Sequence, residues 1–313
     1  MGTHEQRQHE GRQRRGRGLV QIAVLAGIVA GILGFSSQPA QAHDFFVFER
    51  DACGAKIAKT TRTLTPTYWD CTFVDDFTTV GLDTTKWMPQ RTKISNYTLG
   101  GECQVDTPAN IGFVDNPTVS RTSNDYLWLT ARREAAPFTC QGQGTKAWTT
   151  EHTGATVMTH TKFSQAYGRF EVRAAVPQNV STQGAQFSFW LYRQDLQPAG
   201  EIDPMEWYSK YPGQGVPMLH GATGQFTAQD CFFDSSTGPW HTYTLEWTPR
   251  SIRVLYDGEV CLQNTNWSST MPAPFDTPTM INLTIGLDPK HKDTTGSLPS
   301  EWSALIDYVK VWQ

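Results

Sequence analysis

An all-β sandwich is the fold class this sequence predicts, and three observations carry it. Seven short runs are rich in β-branched and aromatic residues, Gly, Pro, Asn and Asp separate them, and no stretch with a helical period is long enough to compete. The runs cover residues 126–131, 168–174, 186–192, 242–247, 252–256, 280–285 and 304–312. Asp257-Gly258 ends the fifth run with the pair that favours a tight hairpin turn. No internal repeat is visible. Nothing after the last run reads as a linker or a second module.

The chain has 313 residues, and its first 42 read as an export signal rather than as fold. Arg12, Arg14, Arg15 and Arg17 precede an apolar run over residues 19–35, and Ala40-Gln41-Ala42 offers small residues for cleavage. The alternative is an uncleaved anchor, since the apolar run is just long enough to cross a hydrocarbon core. Residues 43–67 form a lead-in with little periodicity, and 68–313 form the sandwich domain.

Without the five Arg and two Glu of the leader, 21 basic residues stand against 28 acidic ones, a net of −7. A mildly acidic domain has no electrostatic reason to bind nucleic acid or an anionic membrane. The mature chain is expected to be a secreted, soluble monomer. All six cysteines (Cys53, Cys71, Cys103, Cys140, Cys231 and Cys261) follow the cleavage site, which favours disulfides over free thiols. Spacing does not choose among the pairings; neighbour-in-sequence pairing is the working expectation.

The stretch that carries chemistry is Gly200-Glu201-Ile202-Asp203-Pro204-Met205-Glu206-Trp207. Three acids within a strand-like apolar segment need a reason, because buried carboxylates without partners are costly. Chance or a solvated face is the bland reading. On a strand, Glu201 and Asp203 share a face, whereas Glu206 at i+5 points to the other. One extra residue in a β-bulge restores the parity, and Pro204 suits a broken ladder. The two glutamates then lie effectively four positions apart, about 13 Å between Cα atoms at about 3.3 Å per residue. Side chains leaning inward bring the carboxyls to about 5 Å, the spacing of a retaining glycosidase. One carboxylate attacks the anomeric carbon, the other protonates the leaving oxygen, and Asp203 hydrogen-bonds the nucleophile. The same parity puts Tyr208 toward the groove and Trp207 into the core.

In this bulged E-x-D-x-x-E cluster, the sequence resembles glycoside hydrolase family 16, the laminarinase- and lichenase-type enzymes. Phe73-Val-Asp-Asp-Phe77, Gly101-Glu102-Cys103-Gln104, the segments 127–133, 167–173 and 240–247, and the closing 306–313 match in order. The resemblance implies a jelly-roll β-sandwich of two curved antiparallel sheets with glycan in a concave groove. It implies Glu201 as nucleophile, Asp203 as helper and Glu206 as acid/base. Trp190 matches a sugar-contacting tryptophan and His220 a histidine on the strand after the acids; with Tyr208 they are the expected substrate contacts. Core packing of Trp190 and a structural role for His220 are the plainer alternatives.

Catalysis is expected to need no cofactor. Family members often hold calcium through the aspartate of the final strand, here Asp307, with Asp76 at an opening-strand position. Bonding of both to nearby backbone is the alternative. The chain departs from the family pattern at Gln197, where a tryptophan is common, and after Ile285-Gly286, where Gly-Gly-x-Trp is missing. The implied activity is internal hydrolysis of a β-1,3- or mixed β-1,3/1,4-glucan. A galactan (agar or carrageenan) hydrolase, a transglycosylase and a non-catalytic carbohydrate-binding protein are the alternatives.

Overall fold

A computed structural model describes residues 50–59, 67–79, 81–114, 126–224, 226–234, 236, 238–270 and 275–313. The signal-peptide reading over 1–42 lies outside them. The first strands are short: β1 (Arg50–Asp51), β2 (Gly54–Ala55), β3 (Cys71–Asp75), β4 (Met88–Pro89), β5 (Cys103–Gln104) and β6 (Ile111–Val114). Five long ones follow, β7 (Tyr126–Gln141), β8 (Ala147–Met158), β9 (Gly168–Ala175), β10 (Ala185–Arg193) and β11 (Glu201–Tyr208). Next come β12 (Gln214–Gly215), β13 (Met218–His220), β14 (Phe226–Ala228) and β15 (Cys231–Phe232). The chain closes with β16 (Trp240–Trp247), β17 (Ile252–Tyr256), β18 (Glu259–Asn264), β19 (Thr279–Leu287) and β20 (Glu301–Trp312). Helix is confined to single turns at Thr92–Ser95, Trp267–Thr270 and Ala222–Gly224 among the described residues.

Two antiparallel layers result. One runs β6–β7–β20–β9–β16–β17–β18, with β3 also against β20. The other runs β4–β8–β19–β10–β11–β13–β14. Strand β8 belongs to both: its first half pairs with β7 and its second half with β19. All seven predicted runs are strands. Strand β8 is absent from the prediction because the polar residues Thr149, Thr150, Glu151, His152 and Thr153 hide its period. Asp257 and Gly258 both take positive φ, as a tight hairpin turn between β17 and β18 requires.

The core lies between the layers and follows the strand period of two. Phe187, Phe189 and Leu191 of β10 face Phe170, Val172 and Ala174 of β9 and Tyr243, Leu245 and Trp247 of β16, all buried in one cluster. Burying each large side chain contributes about 1.5–3 kcal/mol. The alternate residues of β10 and β19, among them Ser188, Trp190, Asn282 and Thr284, therefore face away from that core. They floor the groove described below.

Disulfides join Cys53–Cys71, Cys103–Cys140 and Cys231–Cys261, the neighbour-in-sequence pairing. The first fastens the described part of the lead-in to β3, where Cys53 packs with Trp69 and Trp312. No helix among the described residues is long and apolar enough to cross a membrane.

Trp207 on β11 is fully buried in the core cluster. Trp207→Ala is expected to cost about 3–5 kcal/mol of unfolding free energy. Equilibrium urea denaturation measures this, and a loss below about 1 kcal/mol would place the ring outside the packed core.

Candidate active site

The pairing of β10 with β11 contains the irregularity that positions the acids. Ser188 pairs with Glu206 and Phe189 with Met205, but the next pair is Leu191 with Ile202. One residue of β10, Trp190, thus stands opposite two of β11, Asp203 and Pro204. Proline has no N–H to lose at this break in the ladder. Its carbonyl accepts a hydrogen bond from the Tyr256 hydroxyl at 3.2 Å. The extra residue changes the parity: Ile202, Met205 and Trp207 enter the core, and Glu201, Asp203, Glu206 and Tyr208 take the other face.

On that face His220, paired with Glu201 across β11 and β13, brings Nε2 within 3.0 Å of Asp203 Oδ2 and 4.0 Å of Glu201 Oε1. Asp203 is 1% exposed, while the Glu201 side chain keeps 30% of its surface open. Glu206 Oε1 accepts from Gln186 Nε2 at 2.8 Å and Oε2 from the Tyr208 hydroxyl at 2.6 Å. Burial raises all three carboxyls. It pushes Glu201 up to about 9, with the neighbouring Asp203 charge the next cause. Asp203 rises well above the carboxylate range through burial and then through Glu206. Glu206 rises by burial, restrained by the Tyr208 O–H and the Lys290 charge. Three acids this close hold protons that isolated carboxyls would release.

A cavity of about 700 Å³ opens beside the acids, lined by Glu201, Glu206, Tyr97, Trp190, Tyr192 and Met280 among others. Trp190 is half-buried, and its Nε1 donates to Thr284 Oγ1 at 2.9 Å. Its ring stacks on Tyr97 at 5.9 Å and meets Tyr192 edge-on at 5.8 Å. The tryptophan therefore lies on the groove wall rather than in the inter-sheet core. Among the described residues, no lysine or arginine lines this cavity.

Tyr208 departs from the expectation of a substrate contact. It is on the groove side but only 4% exposed, with its hydroxyl given to Glu206. It sits behind the acid rather than on the open surface. Asp307 and Asp76 each have a protein partner. Asp307 Oδ2 is held by Arg173 at 2.6 Å, and Asp76 Oδ1 accepts from the Thr78 hydroxyl at 2.8 Å. Neither belongs to a group of three metal-capable side chains among the described residues. Calcium asks for six to eight oxygens, backbone carbonyls among them, and of these two carboxylates the fold already engages Asp307 Oδ2 and Asp76 Oδ1. Glu201, Asp203 and His220 do bring three donor atoms within 4.8 Å of one another, but a cation there would compete with the protons that burial favours.

Several neighbours of the acids escape sequence reading. Gln186 and Tyr192 share the face of Trp190 at even spacing, a signal that was present. Tyr97 and Lys290 arrive from irregular segments and carry none.

The raised carboxyls have a consequence for stability. In the unfolded chain such glutamates ionise near 4.5; in the fold they keep protons longer. Their contribution is fully present below the unfolded value and is lost as pH rises through the folded one, about 9 for Glu201. Glu201→Gln carries no charge at any pH. It is expected to leave Tm close to wild type at about pH 4 and to raise it by a few degrees at about pH 9. Thermal scans in which that difference stays constant with pH would contradict the cause given.

Comparison with known proteins follows the same lines. The model of Glycosyl hydrolases family 16 matches residues 122–304. A beta-glucanase from Rhodothermus marinus is 29% identical over 278 residues, covering 79% of this chain and 86% of its own. The Endo-1,3-1,4-beta-glycanase EglC of Rhizobium meliloti (strain 1021) is 27% identical over 256 residues, 77% of this chain and 51% of its own, so the chain spans about half of that relative. The laminarinase catalytic domain from Thermotoga maritima MSB8 superimposes with a TM-score of 0.62 at 21% identity, over 78% of this chain and 98% of that one. That likeness is one of fold, the jelly-roll sandwich. The family match takes in more than half of the chain and encloses the acid cluster: this protein belongs to glycosyl hydrolase family 16 and is a glycoside hydrolase.

Proposed function

We propose that the protein is a secreted, retaining endo-β-glucanase acting on β-1,3- or mixed β-1,3/1,4-glucan, with Glu201 as nucleophile and Glu206 as acid/base. The observation that carries the reading is the bulge that turns both glutamates toward one groove from a single strand. Retention needs two carboxyls about 5–5.5 Å apart, whereas inversion needs room for a water between them. One strand, with the side chains four effective positions apart, supports the shorter spacing.

In the first step Glu201 attacks the anomeric carbon while Glu206 passes its proton to the leaving oxygen. In the second, Glu206 takes a proton from water, which attacks the same carbon and frees Glu201. Asp203 shares a proton with Glu201. Attack requires that shared proton to pass to Asp203, the more deeply buried of the two, so that the negative charge is on Glu201 when it meets the anomeric carbon. His220, beside both, steadies that charge.

Substrate shape and charge follow from the surroundings. Met280 pairs with Tyr192, Glu201 with His220, and His220 with Phe226, while Leu191 and Ile202 set Tyr192 beside Glu201. This cross-strand row leads from the cavity past the acids to Phe226, which is 53% exposed and tilted against His220 at 5.1 Å. A groove that continues on both sides of the acids suits an internal cut. A cavity lined by carboxylates without lysine or arginine favours a neutral glycan over a sulfated galactan. The named glucanase relatives point the same way. Three disulfides behind an export-like leader support secretion.

Reducing-sugar release from laminarin, lichenan, agarose and carrageenan tests the reading, with activity expected on the two glucans. Glu201→Gln should lower turnover at least about a thousandfold, and near-wild-type turnover in that variant would refute the nucleophile. Proton NMR of early product should show retained configuration; initial inversion would rule out double displacement.

Phe226→Ala probes the groove beyond the acids. The change is expected to reduce kcat/KM on polymer about three- to tenfold, mostly through KM. An unchanged KM would show that the glycan does not cross that ring.

A further inference from the structure

The segment after β19 is where the family's Gly-Gly-x-Trp is missing, and it holds Asp288-Pro289-Lys290-His291 instead. This loop folds around one buried carboxylate. Asp288 Oδ1 accepts the N–H groups of Lys290 at 2.7 Å and His291 at 2.9 Å, and Oδ2 lies 2.8 Å from His291 Nδ1. The backbone N–H of Asp288 is in turn fastened to Gly184 O at 2.8 Å. His291 sets its ring edge-on to Tyr208 at 5.7 Å and to Tyr211 at 5.5 Å. Lys290 reaches in from the solvent side. Its Nζ donates to the Tyr208 hydroxyl at 3.1 Å, lies 3.8 Å from Met218 Sδ, and sits 5.3 Å from the Tyr208 ring centroid.

Tyr208 has a single hydroxyl proton, and that proton goes to Glu206 Oε2 at 2.6 Å. Its lone pairs face the ammonium. The result is a directed relay, ammonium to phenol to carboxylate, in which each hydrogen bond polarises the next. We propose that Lys290 is a positioning residue for the acid/base: through the Tyr208 hydroxyl it orients Glu206 and stabilises its ionised form. This rests on the reading of Glu206 as acid/base.

That carboxyl has two opposed duties. It must hold a proton when the glycosidic bond breaks and be ionised when water resolves the glycosyl-enzyme. Burial favours the first state alone. The charged or titratable groups around Glu206 are Glu201, Asp203 and Tyr208 on its own strand, His220 from β13, Tyr97 from the segment before β5, Tyr256 from β17, and Lys290. Of these, the Tyr208 O–H and then the Lys290 ammonium do most to offset burial in the second step, and the two are joined by one hydrogen bond.

The test compares wild type with Lys290→Met, Lys290→Arg, Tyr208→Phe and Glu206→Gln, using two substrates. With laminarin, the alkaline limb of kcat/KM reports loss of the Glu206 proton. With a 2,4-dinitrophenyl β-glucan oligosaccharide, whose leaving group needs no acid, the acidic limb of kcat reports its ionisation in the glycosyl-enzyme. Lys290→Met should move both limbs to higher pH by about half a unit or more, with Tm unchanged. Lys290→Arg should restore them. In a Tyr208→Phe background, Lys290→Met should add little, because the relay is already cut.

Limbs that stay put in Lys290→Met, with or without a change in KM, overturn the proposal while leaving Glu206 as acid/base. Full additivity with Tyr208→Phe overturns it equally. Limbs that persist in Glu206→Gln instead sink the acid/base reading, and this proposal with it.

Discussion

A strand alternates its side chains, so residues separated by an odd number of positions point to opposite faces unless something intervenes. Glu201 and Glu206 are five apart, and the intervening device is the doubled residue Asp203-Pro204 opposite Trp190. Everything else in the site leans on that one step in register. With it, Ile202, Met205 and Trp207 complete the inter-sheet core while the acids reach the groove. Without it, a regular strand that kept Glu201 and Asp203 on the groove side would turn Glu206 into the core and expel Met205 and Trp207, and one that kept Glu206 on the groove side would bury Glu201 and Asp203 instead. Burying an unpaired carboxylate costs several kcal/mol, and losing a core tryptophan costs about 3–5 kcal/mol, so neither regular alternative competes. The Tyr256 hydroxyl completes the arrangement by satisfying the carbonyl that the bulge displaces.

The acids themselves are held against their electrostatic preference. Burial opposes ionisation of all three, Asp203 and Glu206 raise Glu201 further, and Glu206 raises Asp203. The fold tolerates this because two well-packed layers supply stability elsewhere, and the site keeps its tension for use. Different partners resolve that tension differently for the two glutamates. Glu201 has solvent and His220 on its side; Glu206 is enclosed by Gln186 and Tyr208. In the roles proposed above, one environment suits a carboxylate that attacks, the other a group that must both give and take a proton.

How much of this is readable from the chain depends on whether the signal is local. The bulge is, because an odd acid spacing and a proline sit within six residues. So is the β17–β18 turn, because Asp257-Gly258 states its own backbone geometry. Strand β8 is not, since its polar residues serve two sheets and so satisfy no single alternation. Face and depth also separate: parity puts Tyr208 on the groove side, but only the packing of His291 and Glu206 around it makes it a buried support rather than a contact. Asp307 shows the same limit. Its position in the final strand suggests a metal ligand, yet the partner that claims its carboxylate is Arg173, 134 residues away. Lys290 and Tyr208 are 82 residues apart, and no pattern along the chain links them.

Placing both proposed catalytic carboxyls on one strand separates two properties of the fold. Their separation is set by covalent backbone and a single bulge, so small shifts of one sheet against the other leave it intact. The elements that surround the acids are different ones: β8, β10 and β19 under the cavity, β13 and β14 beyond the acids, and irregular segments carrying Tyr97 and Lys290. Sequence change in those elements can alter chain length preference or linkage without moving the acids relative to each other. The departures at Gln197 and after Gly286 fall in this second class, outside β11. On the proposed reading, the bond-breaking geometry and the selection of substrate are thus carried by separable parts of the fold, joined at Glu206, which the segment after β19 reaches through Tyr208.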